Sequence, residues 1–117
     1  YCQKTTRLLV EYMKIKIPIV TTFQSRFGPE EWLKPYTDET IDNFPNEGKK
    51  KILVICPGFA SDCVETLEEI SIEAKESFIE KGGEKFLTVP CLNYEKEHID
   101  LLEYLVKKYL IKREKWK

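Results

Sequence analysis

Hydrophobic positions along the 117-residue chain change their spacing several times, and each spacing predicts a different kind of element. Over 1–13 the apolar residues recur among polar ones at the period of a helix. Apolar, β-branched runs at 18–23, 51–56 and 86–92 predict three strands. The run at 51–56 is continuous rather than alternating, as in strands that are covered on both faces of a parallel sheet.

Three further helices are expected. A short one begins at Thr37, and a longer one begins at Asp62 with a capping box completed by Glu65 and ends before the glycines at 82–83. The last covers 95–113. The positions expected to be buried on these last two helices are Val64, Leu67, Ile70, Ala74, Phe78, Leu102, Leu105, Val106 and Tyr109. The order α-β-α-β-α-β-α predicts one α/β domain over 1–117, with a small parallel sheet flanked by helices.

Composition and charge limit the classes of function. Charged residues make up 33% of the chain and the net charge is −1, so neither disorder nor a basic nucleic-acid surface is indicated. No apolar stretch approaches the ~20 residues that span a bilayer, and no signal peptide is recognised. The cysteines, which form no Cys-x-x-Cys pair, indicate a reducing compartment and buried or site-lining thiols; they are Cys2, Cys56, Cys63 and Cys91. Because the chain starts at Tyr1, we expect it to begin inside a longer protein.

Candidate chemistry is expected at one edge of the sheet. Open α/β sheets bind ligands beyond the carboxyl ends of their strands, which here lead into loops starting at Gln24, Pro57 and Asn93. The helix that follows the second of these loops is unusually acidic.

Three glutamates on that helix, Glu65, Glu69 and Glu73, are spaced four residues apart and therefore share one face. Like charges at this spacing repel, so the row does not stabilise the helix. It either guides a hard cation or accepts protons, or it is a solvated helix face on which Glu65 is only a capping partner. Spacing alone favours the solvated face.

Four other side chains leave similar alternatives. Arg26 either binds an anionic group such as a carboxylate or forms a surface ion pair. Trp32 and Phe59 each provide an apolar wall for a ligand or, as is more common, anchor a loop on the core. His98 is the only histidine, and we expect it to be exposed near the start of the last helix. One histidine supports neither a His-rich metal site nor a Ser-His-Asp set.

Three segments of the chain resemble the ferrochelatase family. The segment 23–40 (FQSRFGPEEWLKPYTDET) looks like that family's strand–loop–helix region, and 56–70 (CPGFASDCVETLEEI) resembles its second hallmark. Leu92-Asn93 with 97–99 (EHI) resembles the third. The resemblance covers nearly the whole chain in order, and it is closest to the bacterial, proteobacterial branch.

The resemblance implies a fold and an activity. The family fold is a pair of Rossmann-like, chelatase-type three-layer halves that hold a porphyrin between them, and this chain would be the C-terminal wall of that cleft. The family is a lyase that inserts Fe²⁺ into protoporphyrin IX to give protohaem, the last step of haem biosynthesis. Fe²⁺ and protoporphyrin IX are then the partners, and no nucleic acid is expected.

The resemblance also implies roles for single residues. Glu65 matches the family's metal-site glutamate, and Glu69 continues the acidic line along a helix that is locally π-like in the family. Glu65 and Glu69 are therefore the expected catalytic residues, and Glu65 is the expected metal ligand. The positions that match porphyrin-binding ones are Gln24, Ser25, Arg26, Trp32 and Phe59.

The sequence departs from the family pattern at one point. The family's other metal-site residue is a histidine in a Ser-x-His segment upstream, and no residue here replaces it. This chain alone is therefore expected to be inactive and to need the N-terminal half of the same enzyme. Fe²⁺ is a substrate, so no cofactor is expected, and the tail 111–117 lacks the cysteines that hold an iron–sulfur cluster in some members.

Two other functions and the location stay open. A short homodimeric chelatase would rely on histidines that this chain lacks, and a non-catalytic tetrapyrrole-binding remnant would show porphyrin spectral shifts without metal insertion. We expect a cytoplasmic protein. Peripheral contact with the inner face of the membrane is left open, although a helix C-terminus already explains the basic residues of the tail.

Overall fold

The computed structural model describes residues 1–25, 31 and 33–113, with the side chains of 111–113 left out. Its elements follow one another as two helices, a strand, a helix that changes type along its length, a second strand and a long final helix. They are α1 (Cys2–Met13), α2 (Thr37–Asn43), a 3₁₀ turn (Pro45–Glu47), β1 (Lys51–Val54), a π-helix (Glu65–Ala74), α3 (Lys75–Glu80), β2 (Lys85–Thr88) and α4 (Lys96–Arg113).

The two strands pair in parallel, from Lys51 opposite Lys85 to Val54 opposite Thr88. A parallel pair needs a crossover connection, and the chain makes it through the π-helix and α3. The predicted α/β class with a small parallel sheet is confirmed. The predicted stop at the paired glycines is confirmed as well, since α3 ends at Glu80.

The strand predicted at 18–23 does not form in the described part of the chain. Only Phe23 pairs there, in a single parallel bridge with Tyr36: its N–H donates to the carbonyl of Pro35 (2.9 Å) and its carbonyl accepts from Thr37 N–H (3.0 Å). β-Branched residues suit a pleated surface but make a strand only where a neighbour completes the ladder. Among the described residues, 18–22 have no such neighbour.

The core lies where the crossover helices cover one face of the sheet. Phe78 is fully buried, and its ring centroid is 5.7 Å from that of Phe86. Ile41 of α2 and Ile70 of the π-helix complete the buried cluster. Gly83 is required beside it, because a Cβ at this position would lie 2.2 Å from the Phe78 ring.

The opposite face of the sheet is apolar and exposed. Leu53 and Leu87 are register partners, and they are 62% and 50% exposed; Ile55 and Val89 follow them on the same side. Parallel sheets are normally covered on both faces, and two strands alone are marginally stable. This face therefore has the character of an interior surface that meets further polypeptide.

Several positions predicted to be buried are exposed. On α4 these are Leu102, Leu105, Val106 and Tyr109, and on the crossover they are Val64 and Leu67. Helical periodicity indicates an apolar side but does not supply the surface that covers it, and α4 lies against little of the described chain beyond its first turn.

None of the described helices is both long enough and apolar enough to cross a membrane.

Candidate active site

The helix predicted to begin at Asp62 begins three residues later, at Glu65, and is widened over its first ten residues. Between Glu65 and Ala74 its backbone follows the π pattern, in which each N–H bonds to the carbonyl five residues back, before α3 resumes ordinary winding. The Ser71 hydroxyl donates to the Thr66 carbonyl, also five residues back, at 3.0 Å. Widened turns of this kind are frequent at functional sites.

The acidic row lies along this π-helix. Glu65 and Glu69 are half-buried and Glu73 is exposed. Since a turn of a π-helix takes more than four residues, a spacing of four keeps the carboxylates close to one side. The row therefore begins in a protected position and ends in solvent, which suits a path for cations or protons better than a uniformly solvated face.

Two of the predicted porphyrin-binding residues contact the row. Gln24 Nε2 donates to the Glu65 backbone carbonyl at 2.9 Å and lies 3.5 Å from Glu69 Oε2. Ser25 Oγ donates to the same Glu69 oxygen at 3.2 Å, from a backbone with φ of +62°. Gln24 Oε1 accepts from the Cys56 thiol at 3.4 Å, which ties this loop to the end of β1. The structure thus brings four sequence-predicted site residues together.

A cleft of about 400 Å³ opens beside these contacts, between α2 and the π-helix. Its described lining is mixed, with Ile70 and Ala74 at the apolar part and hydroxyls, amides and carboxylates elsewhere. The polar lining residues are Gln24, Ser25, Tyr36, Thr37, Asp38, Asp42, Glu69, Glu73 and Ser77. The acidic residues of α2 and of the π-helix face the same space, so the cleft favours cations.

Glu65 is held in its ionised form. A hydrogen bond from the Cys63 side chain, with a smaller one from its own backbone N–H, lowers the pKa of the Glu65 carboxyl below its ordinary value. A carboxylate of lowered pKa is a weaker proton acceptor but stays charged for a cation at neutral pH. The predicted metal role thus suits Glu65 better than a proton-storing role.

The predicted capping box between Asp62 and Glu65 is wrong. The Asp62 carboxylate accepts instead from the Thr66 hydroxyl (2.8 Å), from Asn93 Nδ2 (2.8 Å) and from the Cys91 N–H (3.3 Å). The bonds from Asn93 and then Thr66 lower the pKa of Asp62. Glu65 therefore takes no part in a helix cap. Sequence reasoning nominated the loop at Asn93 by its strand end, but it did not find this Asp62–Asn93 pair.

His98 was expected to be exposed and is buried, with 7% of its surface accessible. Its Nδ1 lies 2.6 Å from the Asn93 carbonyl, which is left outside α4 at the start of the helix. The histidine is buried because this first turn, unlike the rest of α4, packs on the loops at the strand ends.

Three of the four cysteines are buried or half-buried. Cys91 is buried, Cys56 and Cys63 are half-buried, and Cys2 is exposed, all as free thiols. Burial raises the pKa of Cys91 to about 11, helped by Asp62, and burial also raises the pKa of Cys56. These thiols stay protonated at neutral pH.

Glu65 and the remaining predicted residues are not among the described lining of the cleft. Phe59 is half-buried in the turn after β1, where its N–H donates to the Cys56 carbonyl at 3.1 Å, and the described lining does not include it. Arg26 and Trp32 lie outside the described residues. Within the described ranges, no three His, Cys, Asp or Glu side chains are grouped to hold a metal ion. A metal role for Glu65 therefore stays a prediction.

The small parallel sheet, the acidic π-helix and the cleft between that helix and α2 define an α/β protein of the chelatase type. The family model described as Ferrochelatase matches residues 1–110. The chain therefore belongs to the ferrochelatase family.

Individual relatives agree with this assignment. The chain is 54% identical over 111 residues to a ferrochelatase of Agrobacterium fabrum, covering 94% of this chain and 32% of that protein. It is 57% identical over 106 residues to a ferrochelatase of Marinobacter nauticus, covering 90% and 29%. For a ferrochelatase of Yersinia enterocolitica the identity is 54% over 112 residues, with 93% and 34% covered. The chain thus spans about a third of the length of the curated relatives it matches.

Proposed function

We propose that the complete protein inserts Fe²⁺ into protoporphyrin IX to give protohaem, as a lyase, and that this chain supplies the C-terminal wall of the porphyrin cleft. The observation that carries the proposal is the half-buried, ionised Glu65 at the start of a π-helix on which the next carboxylate of the acidic row, Glu69, is bound by Gln24 and Ser25. The relatives' name, ferrochelatase, supports the same reaction.

The chemistry of insertion accounts for the two carboxylates. Free-base protoporphyrin carries two pyrrole N–H protons, and Fe²⁺ replaces them, so two protons must leave for each metal that enters. Glu65, whose lowered pKa keeps it charged, would attract and ligate the cation. Glu69 and the more exposed Glu73 would receive the protons and release them to water along the π-helix.

The loop at Gln24 would set the distance between macrocycle and metal. Gln24 and Ser25 already form hydrogen bonds to the π-helix, so they fix where this wall begins. Arg26, Trp32 and Phe59 would complete the wall as porphyrin contacts, by resemblance to the family. The rest of the protein would close the cleft and would also cover the opposite, apolar face of the sheet, where Leu53 and Leu87 are exposed.

Three smaller proposals accompany this function. The reaction needs no resident cofactor, since Fe²⁺ is consumed as substrate, and we propose no iron–sulfur cluster. The protein would act in the cytoplasm. Contact with the inner face of the membrane would belong to the completed cleft rather than to α4.

The test uses a hybrid enzyme in which this chain replaces the matching segment of the Marinobacter nauticus relative, which is 57% identical. The hybrid should form haem from Fe²⁺ and protoporphyrin under anaerobic conditions. Glu65→Gln should reduce insertion by at least about a hundredfold, because a neutral amide does not attract Fe²⁺ as the carboxylate does. Glu68→Gln is the same change at an exposed position of the same helix. It should leave the rate within twofold, because surface substitutions usually have small effects.

Near-normal insertion by the Glu65→Gln hybrid would refute the role of Glu65. Porphyrin spectral shifts without metal insertion in the unmutated hybrid would instead favour the non-catalytic, tetrapyrrole-binding alternative.

A further inference from the structure

Asn93 and Asp62 form a two-point contact between the loops that follow the two strands. Asn93 Oδ1 accepts from the Asp62 N–H at 2.8 Å, and Asn93 Nδ2 donates to Asp62 Oδ2 at 2.8 Å. One amide side chain thus satisfies both the backbone and the carboxylate of the same residue. Two parallel bonds fix the direction of a contact as well as its distance.

The second carboxylate oxygen of Asp62 extends this contact into the π-helix. Asp62 Oδ1 accepts from the Thr66 hydroxyl at 2.8 Å, and Thr66 Oγ1 in turn accepts from the Cys63 N–H at 3.0 Å. Thr66 is buried, with 4% of its surface accessible. Glu65 lies between Cys63 and Thr66, which both bond into this network, so the position of Asp62 bears on where the backbone of Glu65 is held.

The backbone of Asn93 is itself held in place by hydrogen bonds. Its backbone is left-handed, with φ of +48°, a conformation that asparagine tolerates better than most residues. Its N–H donates to the Ala60 carbonyl at 2.9 Å, and its carbonyl lies 2.6 Å from His98 Nδ1. Asn93 therefore lies in the turn between β2 and α4 and connects the first turn of α4 to the loop after β1.

We infer that Asn93 is a positioning residue for Glu65: its side chain fixes Asp62, and through Thr66 it fixes the first turn of the π-helix in the orientation that metal insertion needs. The inference rests on the proposed function for its catalytic consequence, but its structural part stands on this chain alone. Asn93 touches neither metal nor porphyrin in this role. Groups that orient a metal-site side chain in this way typically change affinity or activity by about 10- to 100-fold when removed.

The first experiment measures amide hydrogen exchange in the native chain and in Asn93→Gly. Glycine accepts the positive φ without strain, so this variant removes the side chain and leaves the turn possible. Exchange of the amides at 65–69 should rise by about tenfold, while the core strand amides of Ile52 and Phe86 stay unchanged. Asn46→Gly, at an exposed asparagine in the 3₁₀ turn, is the matched control and should not alter 65–69.

The second experiment tests whether the contact needs one amide facing one carboxylate. Asn93→Asp alone places two carboxylates against each other and should loosen 65–69 as Asn93→Gly does. The exchange of both residues, Asp62→Asn with Asn93→Asp, restores one amide facing one carboxylate. It should return exchange at 65–69 to within threefold of the native chain, because the two parallel bonds can form again, the side-chain one with donor and acceptor exchanged.

The third experiment uses the Marinobacter hybrid. Asn93→Gly should lower kcat/KM for Fe²⁺ by about 10- to 100-fold, with porphyrin affinity by fluorescence quenching within twofold and partial recovery in the exchanged pair. Unchanged exchange at 65–69 in Asn93→Gly, no recovery in the exchanged pair, or an equal loss of porphyrin binding would each overturn the inference. An unmutated hybrid that inserts no metal would refute the proposed function instead, and the exchange measurements would still decide the role of Asn93.

Discussion

The side-chain amide of Gln24 bonds to the backbone carbonyl of Glu65 at 2.9 Å, although the two residues are 41 positions apart in the sequence. A loop that lies outside any strand is thereby attached to the first turn of the π-helix. The same amide reaches toward Glu69, which the Ser25 hydroxyl also binds, so removal of the amide would detach the loop from Glu65 and leave it attached at Glu69.

Replacing this amide should weaken the fold measurably. Gln24→Ala removes a half-buried hydrogen bond and should lower the free energy of unfolding by about 1 kcal/mol. Urea titration followed by circular dichroism gives the value. Gln3→Ala, on the exposed side of α1, is the matched control and should be neutral. Equal midpoints for both variants would show that the loop contributes nothing to stability.

Space beside Phe78 gives a second prediction. Gly83→Ala places a methyl group 2.2 Å from the ring of a fully buried phenylalanine, and overpacking of this kind costs about 1–3 kcal/mol. Gly58→Ala, where no atom lies within 4 Å of the new Cβ, should cost far less. Thermal unfolding of the two variants decides the matter, and similar melting temperatures would mean that the ring moves aside freely.

Acid stability should depend on Asp62. Because its folded-state pKa lies below the ordinary value of 3.8, Asp62 stabilises the fold above that pH and loses this contribution as the pH falls through the folded pKa. The difference in unfolding free energy between pH 6 and pH 3 should therefore shrink in Asp62→Asn. Some dependence should persist, since the pKa of Glu65 is lowered too.

The control for the acid experiment is Asp100→Asn, at a carboxylate that pairs with Lys96 on the exposed surface of α4. It should keep the native difference between the two pH values. A native-like difference in Asp62→Asn would mean that the bonds from Asn93 and Thr66 do not favour the ionised carboxylate.

Thiol labelling should distinguish the cysteines. Thiolate is the reactive form, so Cys91, buried and with a pKa of about 11, should react at least ~100-fold more slowly at pH 8 than exposed Cys2. Mass spectrometry of the chain after timed alkylation gives the order. In urea all four should react at similar rates, and fast labelling of Cys91 without urea would contradict its placement.

Local signals in the sequence were sufficient for the centre of the fold. The continuous apolar run at 51–56 and the paired glycines at 82–83 correctly located β1 and the end of α3, because each depends on chemistry within a few residues. Strand ends, spacing and resemblance predicted site roles for Gln24, Ser25, Glu65 and Glu69, and the structure places these four residues together.

The errors share a different cause. The run at 18–23 and the stripe on α4 were interpreted as strand and buried face from their own residues, but both states need a surface supplied by distant chain. The prediction for His98 was wrong in the opposite sense, since a residue expected to be exposed is buried. The first turn of α4 packs on the loops at the strand ends, and the Asn93 carbonyl lies 2.6 Å from the His98 ring nitrogen. The Asp62–Asn93 pair was missed because nothing local links residues on different loops.

The bond from the Ser71 hydroxyl to the Thr66 carbonyl spans five residues, the count that distinguishes this helix from an ordinary one. Removing one residue between them would turn this five-residue span into the four-residue span of an ordinary α turn, so the residues on the two sides would keep nearly the same orientation. Glu65 and Glu73 would then be seven residues apart, close to two α turns, and would still share a face. A single-residue deletion should therefore be tolerated better in this widened segment than in an ordinary α-helix, where it turns the two sides by about 100° against each other.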